Sequence, residues 1–135
     1  MTAPAVILSR PQMGENIGAA ARAMKNFGLS DLRLIAPQCE WPNDRAMILA
    51  SGAGDIIQAA RVFPTAAEAM ADIRMLLATT ARGRDVLREI LTPEAAARRL
   101  RTVERQDEWN SALTDAALGF CDRSTVFSIQ GSTLR

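Results

Sequence analysis

The stretch "SRPQMGENIGAAARAMKNFG", residues 9–28, decides how the chain is read. It crowds Pro11, Gly14, Glu15 and Asn16 into a short turn and then takes on a helical period. Ile17, Ala20, Ala21, Met24 and Phe27 recur at three- and four-residue spacing, with Gly18, Arg22, Lys25 and Asn26 on the other side. One face belongs to a core and the other meets something polar. Asn16 stands where an N-cap belongs and Gly28 lies just past the last apolar residue, so the pattern predicts a helix over 17–27. Residues 5–9 (AVILS) and 32–35 (LRLI) read as buried strands on either side, which makes a βαβ unit.

The alternation continues along the chain. "PQCEWPNDRA" is a loop, and residues 44–60 carry a helix interrupted at Ser51-Gly52-Ala53-Gly54. Residues 61–63 are a short strand candidate. Thr65 with Glu68 forms a capping box that opens a helix running to about Ala71, and residues 75–80 (MLLATT) read as a buried strand. Thr92 as N-cap and Pro93 at the first helical position start a last helix that runs to about Arg101. Strands separated by helices imply an α/β fold, a parallel sheet with helices on both faces.

With 135 residues the chain is expected to be one domain, 1–135. A hydrophobic share of 48% and a charged share of 23% are those of an ordinary globular protein, and no apolar run reaches the length of a membrane span. The first apolar run is short and lacks a basic leader, so the expected location is the cytoplasm, with no membrane partner. Cys39 and Cys121 then read as reduced thiols, and two cysteines without any histidine argue against a metal site.

The lack of His and Tyr removes the usual proton carriers of a neutral-pH enzyme. Chemistry must come from carboxylates, Arg, Lys or the substrate itself. The net charge of +1 says little about nucleic acid, but the arginines cluster: Arg82, Arg84 and Arg88 in "ARGRDVLR", and Arg98, Arg99 and Arg101 in "ARRLR". The second cluster reads as a solvated helix face. In a parallel sheet ligands collect beyond the carboxyl ends of the strands. Two loops there, residues 9–16 and 79–84, would face one crevice with Arg10 and Arg22 on one side and Arg82 and Arg84 on the other. Such a crevice suits an anion, although the same arginines could serve only to keep a sheet edge soluble. Neither a dinucleotide-binding G-x-G-x-x-G nor a P-loop occurs.

These residues carry a resemblance. "RPQMGENIGAAARAMKNFGLSDLRLIAP" resembles the first motif of the SpoU/TrmH family of RNA ribose 2′-O-methyltransferases, N-x-G-A-x-x-R followed by an apolar helix ending in F/M-G. The likeness continues through "WPNDRA", "ASGAGDII", "FPTAAEAMADIRMLLATTARGR" and "LTPEAAARRL", covers residues 5–101, and is closest to the TrmJ-like branch that methylates tRNA. It implies a SPOUT-type α/β fold with a carboxyl-terminal trefoil knot, a homodimer, RNA as partner (tRNA ahead of rRNA), and S-adenosylmethionine as methyl donor. It places Asn16 and Arg22 at the catalytic centre and Thr79, Thr80 and Ala81 near the donor; with RNA as the anion, the crevice arginines Arg10, Arg82 and Arg84 would bind it. Gly18, one turn before Arg22, would leave that face open for a nucleotide. Arg suits such a role as a fixed cation with a fork of donors matched to phosphate.

Residues 102–135 depart from the pattern. The family has a buried strand, then F-G-x-E-x-x-G-L, then S-L-N-x-A in a final helix. Here Arg105-Gln106 stands where Phe-Gly belongs, Glu108 reads as a solvated carboxylate, and "VFSIQGSTLR" takes the place of the knot-forming segment. The knot region and the donor pocket are therefore expected to be incomplete. Two functions follow: a tRNA-directed methyltransferase homologue with a truncated or frameshifted carboxyl-terminal part, or a non-catalytic RNA- or anion-binding module that partners a full-length relative.

Overall fold

The computed structural model describes residues 3–79, 89–102 and 125–130. Strand β1, Pro4–Ser9, feeds helix α1, Gly14–Asn26, which returns to β2, Leu32–Ile35. Two short helices follow, α2 (Asp44–Ala50) and α3 (Gly54–Ala59), and lead to β3, Arg61–Phe63. The single-turn α4, Ala66–Ala69, crosses to β4, Ile73–Ala78; α5 spans Pro93–Thr102 and β5 spans Thr125–Gln130.

The sheet order is β3-β2-β1-β5-β4. Strands β1, β2 and β3 are parallel, as the βαβ reading requires, with Ser9 level with Ile35. Strand β5 was not anticipated and runs antiparallel to both β1 and β4. It is a short run without a long apolar period, which gives little local signal. Because its two neighbours are both antiparallel to it, β1 and β4 point the same way.

Alternation along the strands divides the core. Val6, Leu8, Leu32 and Leu34 face α1, α2 and α3, where Ile17, Ala21, Met24, Ala46, Ala50 and Ile56 are buried. Ile7 and Ile35 face the other way, onto Ala69 and Met70 of the α4 segment, with Phe63, Ile73 and Leu76 alongside. Helices thus cover both faces.

Local signals set several boundaries as expected. Gly28 closes α1 at φ 69°, and Ser51 (φ 42°) and Gly52 (φ 90°) break α2 from α3 in the left-handed region. The Thr65 hydroxyl oxygen accepts from the Glu68 amide at 3.3 Å, and that of Thr92 accepts from the Ala95 amide at 3.3 Å.

The start of α1 differs from expectation. Its N-cap is Met13, extended at φ −129°, with no side-chain cap, and Asn16 lies inside the first turn. Gly14 joins the helix because it is pressed against the start of α2: a Cβ there would sit 2.0 Å from Asn43 Oδ1. Asn43 is itself the cap of α2, accepting from the Ala46 amide at 3.0 Å. Helix α4 ends at Ala69, not near Ala71, because the chain turns at once toward β4 and the Ala69 carbonyl is taken by Arg33.

Candidate nucleic-acid interface at the carboxyl edge of the sheet

Strands β1 and β2 end in the same way. Arg10 adopts φ 48° and donates its amide to the Ile35 carbonyl at 2.8 Å; Ala36, one strand over, adopts φ 39° and donates to the Phe63 carbonyl at 2.9 Å. A left-handed residue that is not glycine costs on the order of 1 kcal/mol, and two side by side mark an edge whose shape is imposed by its surroundings. The loops beyond are tied together. The Gln38 amide donates to the Pro11 carbonyl at 2.8 Å, and Gln38 Nε2 donates to the Ala36 carbonyl at 2.9 Å. Arg10 and Gln38 are exposed at this edge.

Strand β4 reaches the same edge. Ile7 and Ala78 both pair with Val126, so β4 ends two residues short of the end of β1 at Ser9, and the exposed Thr79 emerges on the far side of β5 from β1. Two strand spacings put the backbones about 10 Å apart. The loops after β1 and β4 leave the same edge of the sheet, from strand ends two residues out of step. Thr80, Ala81, Arg82, Arg84 and Glu108 lie outside the described residues.

Asn16 is exposed at this edge, in the first turn of α1, and does not cap the helix. Its amide donates to the Met13 carbonyl at 3.2 Å. Arg22 is elsewhere. Helix α1 runs away from the carboxyl edge, and Arg22 lies about 12 Å along it from Gly14. Its side chain is exposed in a shallow depression lined also by Ala19, Ala23, Asn26 and Leu49. Within one chain Arg22 therefore lies back along the helix from the edge that carries Arg10, because the four loop residues 10–13 return α1 along the outside of the sheet.

Gly18 also has a different role. A Cβ there would meet the Ala46 carbonyl oxygen at 2.4 Å and the Ala50 nitrogen at 3.1 Å. Its bare face is filled by α2 and is not open to a nucleotide. Gly14, Gly18 and Ala21 form a ridge of small residues on which α2 lies, fixing the helix that carries Leu49 beside Arg22.

Exposed ion pairs brace these helices: Arg45 to Glu15 at 2.7 Å and Lys25 to Asp55 at 2.6 Å. The Arg45 hydrogen bond holds the Glu15 carboxyl below its ordinary value, and Lys25 does the same to Asp55. Among the described residues no group of three or more His, Cys, Asp or Glu side chains could hold a metal ion. None of the helices described is long and apolar enough to cross a membrane.

The α/β sheet, with Arg10 and Thr79 following β1 and β4 at one edge, is the frame of the candidate site. The chain belongs to the SpoU rRNA Methylase family, whose sequence model matches residues 3–119. Among individual proteins it is 42% identical over 115 residues to the "Uncharacterized tRNA/rRNA methyltransferase LasT" of Escherichia coli, a match that takes in 85% of this chain and 47% of that protein. It is 45% identical over 92 residues to the tRNA (cytidine/uridine/adenosine-2′-O-)-methyltransferase TrmJ of Pseudomonas aeruginosa, covering 68% of this chain and 35% of the relative. The crystal structure of TrmJ from Z. mobilis ZM4 superposes with a TM-score of 0.71 at 58% identity, over 73% of this chain and 44% of that one. The chain thus spans less than half the length of these relatives and is a homologue of TrmJ-like tRNA 2′-O-methyltransferases.

Proposed function

We propose that the chain carries the RNA-facing elements of an S-adenosylmethionine-dependent tRNA ribose 2′-O-methyltransferase, acting in the cytoplasm as a homodimer. The observation that carries this reading is that β1 and β4 point the same way on either side of β5, with Ile7 and Ala78 both opposite Val126, so that Arg10 and Thr79 follow them at one edge, about two strand spacings apart across the sheet. In this reading residues 1–135 form one SpoU-type unit.

A ribose hydroxyl is a weak nucleophile at neutral pH, so it must be aimed at the sulfonium methyl and the charge developing on oxygen must be stabilised. S-adenosylmethionine, when bound, supplies the methyl group. The loop 79–81 would hold it, Arg10, Arg82 and Arg84 would hold the RNA backbone, and Arg22 would orient the target nucleotide, with Asn16 in support. The separation of Arg22 from the Thr79 edge favours a shared site. Arg22 of one copy would serve the donor loop of the other, and the homodimer becomes part of the chemistry.

A second reading rests on the direction of β5. That strand turns its amino end toward the crevice, and the chain leaves it at Gln130, level with Ile73 at the opposite edge. A strand so directed presents its amino end, not its carboxyl end, to the donor side. On this reading the chain binds RNA at its arginine edge without methylating it.

One experiment separates the two. Purified chain is incubated with a tRNA transcript and radiolabelled S-adenosylmethionine, and RNA binding is followed in parallel. Methyl transfer that is lost in Arg22→Ala, and recovered when that variant is mixed with a Thr79→Ala variant, supports the shared enzyme site. RNA binding without transfer, in a preparation that takes up no donor, supports the binding module. Absence of both overturns the proposal.

A further inference from the structure

The amino ends of the strands hold a group that the proposed reaction does not use. Arg33, the second residue of β2, is 1% exposed and lies on the face covered by α4. A guanidinium has five N–H donors, and here each has an acceptor. Nε reaches Asp31 at 3.1 Å; Nη1 reaches the Ala69 carbonyl at 2.7 Å and Asp72 at 2.5 Å; Nη2 reaches Asp31 at 2.8 Å and Asp72 at 2.9 Å. Asp31 also accepts from Arg61 at 2.8 and 2.9 Å, so the cluster balances two positive charges against two negative ones.

The partners come from four places in the fold. Asp31 immediately precedes β2, Arg61 opens β3, Ala69 ends α4, and Asp72 immediately precedes β4. Arg33 therefore ties the α4–β4 turn to β2, which is separated from β4 in the sheet by β1 and β5. Among the described residues, strand pairing holds this end of β4 through Ile73 opposite Gln130 alone. Among the described residues β4 pairs with β5 alone, and the register shifts between Ile73 and Met75, next to Asp72. The apolar contacts of Ile73 and Leu76 with the Ile7 cluster are non-directional and tolerate sliding. A bidentate guanidinium–carboxylate pair does not.

We propose that Arg33 is a positioning residue for the Thr79 loop: by fixing the start of β4 against β2 it sets where β4 ends, and with it the place of Thr79 on the carboxyl edge. The inference rests on the reading of that edge as the donor side. The bulge between Ile73 and Met75 lies beside Asp72, and from Met75 to Ala78 the strand runs in unbroken register, so a displacement passed on from Asp72 through the bulge is carried along the strand to Thr79.

The test measures position without donor or RNA. In the full chain, with Cys39→Ser and Cys121→Ser, spin labels at Asn26→Cys and Thr79→Cys report the distance between the far end of α1 and the end of β4 by pulsed electron resonance. The parent is expected to give one narrow distribution. Asp72→Asn and Arg33→Lys, measured well below their melting temperatures, are expected to shift or broaden it, while amide exchange speeds up about tenfold or more in β4 and stays unchanged in β1. Asp72→Glu, which keeps the carboxylate, is expected to retain a narrow distribution. Should Arg33→Lys fail to fold, Asp72→Asn still decides, since Asp72 is partly exposed and the change removes its charge and one of the two oxygens that accept from Arg33 without altering its size. A melting temperature that falls while the distribution stays as narrow as the parent's, at the same distance, overturns the proposal. Donor titration of the parent tests the methyltransferase reading separately.

Discussion

The two ends of the sheet are built on opposite terms. At the amino ends Arg33 is buried with all its donors engaged, and among the described residues no buried side-chain nitrogen or oxygen lacks a partner. At the carboxyl ends Arg10, Asn16 and Thr79 are exposed, and Arg10 and Ala36 hold the backbone at φ 48° and 39°. A buried charge cluster adds little net stability over an apolar equivalent, but breaking it is costly, so it enforces one geometry. Strained backbone is retained where an approaching group needs a particular shape. One end of the sheet therefore fixes geometry while the other spends stability on presenting polar groups to solvent.

The largest effect expected from that difference is at Arg33. Arg33→Ala should cost about 3–5 kcal/mol in chemical denaturation, since it breaks every arm of the cluster and empties a buried site. The clamp should also be acid-sensitive. Hydrogen bonding from Arg33 holds the Asp72 carboxyl below its ordinary value. For Asp31 burial works the other way, but Arg33 and Arg61 outweigh it and the net shift is again downward. A lowered folded-state value means stabilisation that is complete above the unfolded value, near pH 4, and lost as the pH falls below it. Denaturation of the parent and of Arg33→Met should accordingly converge on acidification, and a constant gap between pH 7 and pH 3 would break the comparison.

Next in size is Gly18→Ala, where the added methyl meets a backbone carbonyl and α2 must move. A loss of about 1–3 kcal/mol in thermal unfolding is expected, despite the better helix propensity of alanine. A stabilised variant would return Gly18 to the nucleotide-facing role suggested by its place one turn before Arg22.

Smaller still is Arg10→Gly. Removing the side chain relieves the left-handed strain at some cost in chain entropy, so stability should rise by a few tenths to about 1 kcal/mol. RNA affinity, read by filter binding across a salt series, should fall, with the salt slope reduced by about one. Arg22→Ala should show the least change in stability, within about 0.5 kcal/mol, because its side chain is exposed. Methyl transfer or RNA binding should nevertheless be lost, and an active, RNA-binding Arg22→Ala would remove the residue from the site.

Elements that announce themselves locally were legible in the sequence. The strands at 32–35 and 61–63, the break between α2 and α3, and the Thr65 and Thr92 caps follow from apolar runs, glycine and hydroxyl capping, all settled within a few residues. The end of β1 was legible as a candidate edge because an arginine follows a buried strand. The Arg33 cluster was not read. Its signal, an arginine inside a strand otherwise made of Leu and Ile with aspartates just before two strands, gains meaning only when residues 39 positions apart meet.

The sequence by itself determined an α/β chain of the SpoU family, because periodicity, capping and a dense motif are local properties of the chain. Only the tertiary structure decided that Gly18 seats α2, that Asn16 lies within the helix it was expected to cap, that β5 enters the sheet in reverse, and that Arg22 stands apart from Arg10. Each of these depends on what another segment places against the residue: the Ala46 carbonyl against Gly18, Asn43 against Gly14, and β1 and β4 on either side of β5. Contacts between distant segments are set by packing the whole core, and no short window of sequence contains both partners.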